Sequence, residues 1–119
     1  MMLWLRADIG VTSNKGNVTT WQDQSPQGNN ANSLSSANSP QFNPSAVNGL
    51  PSVNFNGTSN YLNMPSGFSN FNGCSIFIVT LPANVTTPGE NLIDIGNNTT
   101  DVIAATLNSN LLLIQNFIP

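Results

Sequence analysis

The sequence predicts an all-β protein with antiparallel pairing, on three observations. Short segments rich in β-branched and aromatic residues recur along the chain, with Pro, Gly and Asn between them. Almost no window of a dozen residues carries apolar positions at i, i+3, i+4 and i+7 without a Gly or Pro breaking it. Asn-Gly occurs at Asn48, Asn56 and Asn72, each beside a candidate strand, and this dipeptide supplies the positive φ values of tight hairpin turns.

In chain order, residues 3–5, 18–21, 53–55 and 61–64 read as strands. Residues 25–44 hold almost no large apolar side chain but include Pro26, Pro40 and Pro44, which predicts surface loop with at most a short edge strand near Ala31. The strongest signal is residues 75–81. There Ile76 and Ile78 point one way and Phe77, Val79 and Leu81 the other, the pattern of a strand buried on both faces. Residues 92–95, 102–107 and 111–117 complete the set. A helix competes over 102–113, which lacks Gly and Pro, but Asn108, Ser109 and Asn110 form a turn that predicts a hairpin instead.

The composition narrows function mainly by exclusion. At 119 residues the chain is expected to be one domain with one core. Only 6% of residues are charged, against roughly 25% in a typical domain. Its polar surface is built from uncharged groups, 21 asparagines among them. Arg6 and Lys15 are the only cations and the net charge is −3, so no basic footprint exists for nucleic acid or an anionic membrane surface. No apolar run approaches the ~18 residues needed to span a bilayer. Cys74 is alone and histidine is absent, which excludes an intramolecular disulfide, a thiolate zinc cluster and a Ser-His-Asp or Cys-His centre. Cys74 is expected to be a small buried hydrophobe. A glycosidase would need two carboxylates about 5 to 9.5 Å apart, whereas Asp8, Asp23, Glu90, Asp94 and Asp101 are scattered. No enzyme is expected.

Low lysine, many Asn and Thr, and Asn-x-Ser/Thr patterns at Asn17, Asn56, Asn84, Asn97 and Asn98 are typical of extracellular material. Met1 runs within a few residues into Arg6 and Asp8, a pattern from which no secretory signal is expected in residues 1–119. The expectation is a processed or partial product of an extracellular or cell-surface protein, with a short cytosolic protein as the alternative.

Three stretches then carry a resemblance: LWLRAD over residues 3–8, VTTWQDQSPQGNNA over 18–31, and GLPSVNFNGTSNYLNMP over 49–65. Their order resembles the opening of laminin G-like, concanavalin A-like β-sandwich domains of bacterial surface and secreted proteins. The matching residues are Trp4, Trp21 two positions before Asp23, and Pro51, Phe55, Gly57, Tyr61 and Leu62. Pro26 departs from the family's usual Gly in this turn. The resemblance implies a jelly-roll sandwich of which 1–119 is the N-terminal part, because members are generally longer. Such a sandwich is incomplete as it stands, or completed by a partner's strand.

The resemblance also implies a non-enzymatic module for adhesion or carbohydrate binding. The residue types suited to a sugar near the family motifs are Trp21, Asp23, Asn56, Asn60 and Tyr61. Each has a structural reading beside the functional one: core packing for Trp4, Trp21 and Tyr61, and turn formation for Asn56 and Asn60. Calcium accompanies some related domains. Here the acids form no D-x-D-x-D-G loop, and Asp94 meeting Asp101 across a hairpin is the best pairing they offer, so no metal ligands are carried over. The competing function is a self-assembling structural subunit of a filament or surface layer. Uncharged edges over 76–79 and 111–114 would accept a strand from another copy, giving a homo-oligomer or polymer.

Overall fold

The computed structural model describes residues 1–68, 75–81, 90–96, 102–108 and 111–116, all strand, turn or irregular chain with no helix among them. They fall into two units, Met1–Phe68 and Ser69–Pro119, each with its own antiparallel sheet.

In the first unit, β1 (Val11–Asn14) and β2 (Asn17–Trp21) are joined by a two-residue hairpin at Lys15 and Gly16. Both residues have positive φ, 52° and 87°, which matches the right-handed twist of the flanking strands. The register shifts between Thr12 and Ser13, leaving Thr19 as the extra residue of a bulge, and its hydroxyl donates to the Thr12 carbonyl at 3.1 Å. The other edge of β2 is shared. β3 (Ala31–Asn32) pairs with Thr20 and Trp21, while β4 (Gln41–Val47) pairs with Asn17. Backbone bonds from Val18 N to Pro40 O and from Phe42 N to Gly16 O, both 2.8 Å, fasten this second junction. β4 then turns through Asn48 and Gly49, φ 52° and 77°, into β5 (Leu50–Asn54). The sheet order is β1-β2-β4-β5, with β3 beside β2.

The stretch 25–44 therefore contains more pairing than its prolines suggest. The short strand at Ala31 is present, but β4 begins at Gln41 and runs through Pro44. Proline offers no ladder donor, and the β4–β5 register is irregular between Asn43 and Val47, where Pro44 lies. Residues 3–5 and 61–64 are not strands. In the first stretch Trp4 is held by one bond each to Asp23 and Gln24. The second contributes one bridge, Asn63 to Asn32, made by reciprocal backbone bonds of 2.8 and 2.9 Å.

Little apolar surface is buried in this unit. Val18 and Ala31 are its buried hydrophobic side chains, and Ser39 and Pro40, just before β4, are buried as well. Ser39 satisfies its hydroxyl with Ser33 Oγ at 2.8 Å and the Ser35 carbonyl at 3.1 Å. Met2, Ile9, Val47, Leu50 and Phe55 remain exposed.

The second unit carries a meander of β6 (Glu90–Gly96), β7 (Val102–Asn108) and β8 (Leu111–Asn116) in that order. Asn108 pairs with Leu111 across a two-residue connection, so the hairpin expected from the Asn-rich turn forms and the helix does not. Asp94 pairs with Ala104; Asp101 lies outside the described residues, as do Asn72 and Cys74. Residues 75–81 overturn the expectation of a doubly buried strand. They form no strand, Phe77 is 95% exposed and Val79 fully so, because among the described residues no strand lies alongside to pair with them.

Candidate binding surface

Asp23 organises the end of the first unit where β2 leaves the sheet. One carboxylate oxygen accepts the backbone N–H groups of Trp4 at 2.8 Å and Ser25 at 2.9 Å. The other accepts the Ser25 hydroxyl at 2.6 Å and Asn29 N–H at 2.9 Å. Partial burial works to raise the carboxyl pKa, but these hydrogen bonds outweigh it and hold the group below its ordinary 3.8. Asn30 completes the loop by accepting the Asp23 N–H at 2.9 Å. Gly28 supplies the left-handed residue, φ 69°, that lets the chain return toward Asn29.

This loop fixes the N-terminal segment. Gln24 N–H donates to the Trp4 carbonyl at 2.8 Å, so Trp4 has both backbone polar groups held by residues 23 and 24. Asn29 Nδ2 adds a bond to the Met2 carbonyl at 2.8 Å. On the following residues, Trp21 Nε1 donates to the Arg6 carbonyl at 2.7 Å, while the Arg6 guanidinium lies 5.4 Å from the centre of the Trp4 ring. Arg6 also grips Asp8 with two bonds, Nε to Oδ1 at 3.1 Å and Nη2 to Oδ2 at 2.6 Å. That grip draws the Asp8 pKa below 3.8. The indole of Trp4 stays 45% exposed. A backbone-anchored aromatic ring beside a guanidinium, itself paired with a carboxylate, is the result.

The other residues singled out by sequence lie elsewhere. Asn56 Oδ1 accepts three successive N–H groups, from Thr58, Ser59 and Asn60, at 2.9 to 3.0 Å, and its Nδ2 donates to Ser59 Oγ. Asn60 Oδ1 accepts the Asn56 N–H and its Nδ2 reaches the Ser39 carbonyl, both at 3.0 Å. Both amides are thus spent on the turn. Tyr61 donates its backbone N–H to Asn38 O at 3.0 Å and leaves its side chain 47% exposed. Among the described residues no hydrogen bond joins Trp21 or Asp23 to Asn56, Asn60 or Tyr61.

From sequence, core packing is the structural reading of Trp4, and Arg6 and Asp8 are not among the residue types picked for a sugar. The signal was available in the spacing: Arg6 and Asp8 are the only opposite charges within two positions of each other in the chain, next to a tryptophan. A cation would find little at Asp23, whose two oxygens already accept four donors. Among the described residues no three acidic or thiol side chains gather to hold a metal ion. Beside the β1–β2 hairpin, a groove of about 370 Å³ is lined by the amides and hydroxyls of Asn17, Thr19, Ser33 and Ser39 together with Lys15 and Leu34.

Comparison with protein-family models, with curated proteins and with solved structures finds no match.

Proposed function

We propose that the chain is a non-enzymatic module of an extracellular surface, working in adhesion or carbohydrate binding on a laminin G-like antiparallel β-sandwich. The observation that carries the binding reading is the Trp4 ring. It is half in solvent, although its backbone is fastened at both polar groups and Arg6 is stacked near it. Holding an aromatic ring rigid before a ligand arrives removes much of the ordering cost of binding. Indole faces suit the C–H surface of a sugar ring, while the Arg6 and Asp8 side chains offer donors and acceptors to its hydroxyls.

The sandwich reading rests on what the five-stranded sheet lacks. A sheet with an apolar face needs a second layer, yet Val47 and Leu50, paired with each other across the β4–β5 turn, are exposed. A second sheet is the cover that the resemblance implies.

The test is a glycan array followed by titration of any binder, read through tryptophan emission. Binding that shifts emission and is lost in Trp4→Ala, with the circular dichroism of the variant unchanged, is the expected result. Trp4→Ala binding as tightly as the parent would remove the basis of this reading. So would an array on which nothing binds.

A further inference from the structure

Residues 75–81, Ser-Ile-Phe-Ile-Val-Thr-Leu, combine strand-forming chemistry with the absence of a partner among the described residues. Five of the seven are β-branched or aromatic, and none is Pro or Gly. Ser75, Phe77, Ile78, Val79, Thr80 and Leu81 are all exposed, and no described strand pairs with them. Water is then the neighbour of a strongly apolar surface whose backbone donors and acceptors remain open. Natural proteins guard such stretches with charge, Pro or a covering element. Here the nearest charges in sequence are Asp23 and Glu90, and from Gln24 to Gly89 no residue carries one.

We infer that residues 75–81 are a self-association strand, pairing antiparallel with the same segment of a second copy about Ile78. The missing charge identifies the occupant. A foreign partner that docks by electrostatic complementarity has nothing to read over this stretch, whereas a second copy meets no local repulsion. The segment also complements itself. Centred on Ile78, antiparallel pairing sets Phe77 opposite Val79 twice, Ile76 opposite Thr80 and Ser75 opposite Leu81, so all seven residues are used. Aromatic side chains opposite β-branched ones are among the favourable cross-strand pairs. Pro82 stops the ladder from sliding toward the C-terminus. A two-stranded ribbon is marginal by itself, so paired segments stack through the Phe77, Val79 and Leu81 face and association proceeds past the dimer. This inference goes beyond the binding reading and does not depend on it.

The experiment uses the full chain, with light scattering after size exclusion over a range of concentrations. The parent is expected to exceed its single-chain mass increasingly with concentration. Ile78→Pro, which removes the central donor, and the pair Phe77→Lys with Val79→Lys are each expected to return it to one chain. Leu50→Lys, an exposed apolar position on β5, serves as the control and keeps the association. Circular dichroism of each variant separates lost association from lost folding. A second measurement fixes the register in a Cys74→Ser background. Under mild air oxidation Ile78→Cys is expected to cross-link two chains, because residue 78 faces its own copy, while Val79→Cys faces Phe77 and cross-links far more slowly. A parent that stays monomeric at every concentration overturns the inference. So do dispersal by Leu50→Lys but not by Ile78→Pro, equal cross-linking at 78 and 79, or strong hydrogen-exchange protection of residues 76–80 in a dilute monomer.

Discussion

The carboxylate of Asp23 accepts the backbone N–H of Trp4 across nineteen positions of sequence, at 2.8 Å. The contact ties an irregular N-terminal segment to the end of β2. It is also one of four donors converging on one side chain, so the geometry of the whole loop, and through it the placement of the Trp4 ring, depends on a single acid. A local turn chemistry has become the foundation of a candidate binding surface.

The loop should fail in proportion to what is removed from that carboxylate. Asp23→Ala deletes both oxygens and leaves the N–H groups of Trp4, Ser25 and Asn29 without their acceptor; a loss of about 2 kcal/mol is expected, since hydrogen bonds to charged groups are the stronger kind. Asp23→Asn keeps one acceptor oxygen and should cost about half of that. Urea unfolding of the two variants and the parent measures the order.

The same carboxyl sets an acid limb. Its folded pKa is lowered from 3.8, so the folded state binds this proton less readily than the unfolded chain. Its contribution to stability is therefore whole above about pH 3.8 and falls away as the pH drops from there through the depressed folded value. Asp23→Asn should flatten this part of the stability curve while leaving the neutral region parallel to the parent. Melting points taken from pH 6 down to pH 2 would show no difference in slope if the carboxyl were merely a bystander.

Two glycines separate backbone strain from crowding. Gly10 and Gly28 both have positive φ, 79° and 69°. A Cβ at Gly28 would meet nothing within 4 Å, but at Gly10 it would lie 2.9 Å from Gln22 Cβ and 2.6 Å from Gln24 Nε2. Gly28→Ala should cost about 1 kcal/mol from the left-handed backbone alone. Gly10→Ala adds a clash with a side-chain root that cannot swing away, so a loss nearer 3 kcal/mol is expected. Equal destabilisation of the two in denaturant titrations would mean that the Gln22 and Gln24 side of the turn gives way freely.

These contrasts bear on how much of the molecule was legible beforehand. The β4–β5 turn was readable because Asn48-Gly49 is the dipeptide that left-handed geometry favours, and the β7–β8 hairpin because the run Asn108-Ser109-Asn110 separates its two apolar segments in the sequence. β1 was not, since Val11 is its only apolar residue and Lys15 is an unusual occupant of a left-handed site. β4 hid behind Pro44, whose missing donor the irregular register absorbs. Trp4 misled for another reason: apolar character says that a ring prefers burial, but not whether the fold has anything to bury it against. The same limit explains residues 75–81, whose apolar run predicts a buried strand but for which the described residues contain no partner.

The pairing of Arg6 with Asp8 should matter to the candidate surface more than to the fold. Both side chains are well exposed, so solvent screens their attraction, and Arg6→Ala is expected to move the unfolding midpoint little. Its effect should appear instead in the Asp8 titration. The Arg6 hydrogen bond is the first cause of that group's lowered pKa, and without it the value should climb back toward 3.8, which carbon-detected NMR of the carboxyl reads directly. An unchanged titration would mean that Arg6 does not hold Asp8 in solution, and that the guanidinium is not fixed near Trp4 either.

The two tryptophans offer the most direct check on that arrangement, because their surroundings differ. Trp21 is half-buried with its N–H bound to the Arg6 carbonyl at 2.7 Å, whereas Trp4 is 45% exposed. Collisional quenching by a neutral solute should therefore act chiefly on Trp4, and Trp4→Phe should leave a protein whose remaining emission is bluer and harder to quench. Trp21→Phe does the opposite: it removes a part-buried donor, leaves the Arg6 carbonyl only the longer 3.4 Å bond from the Ile9 N–H, and is expected to destabilise the fold by about 1 kcal/mol while the quenchable emission persists. If instead both single variants quench alike, the Trp4 ring is not held out in solvent by the Asp23 loop. The surface would then need ordering when a ligand arrives, and its affinity for small sugars would fall accordingly.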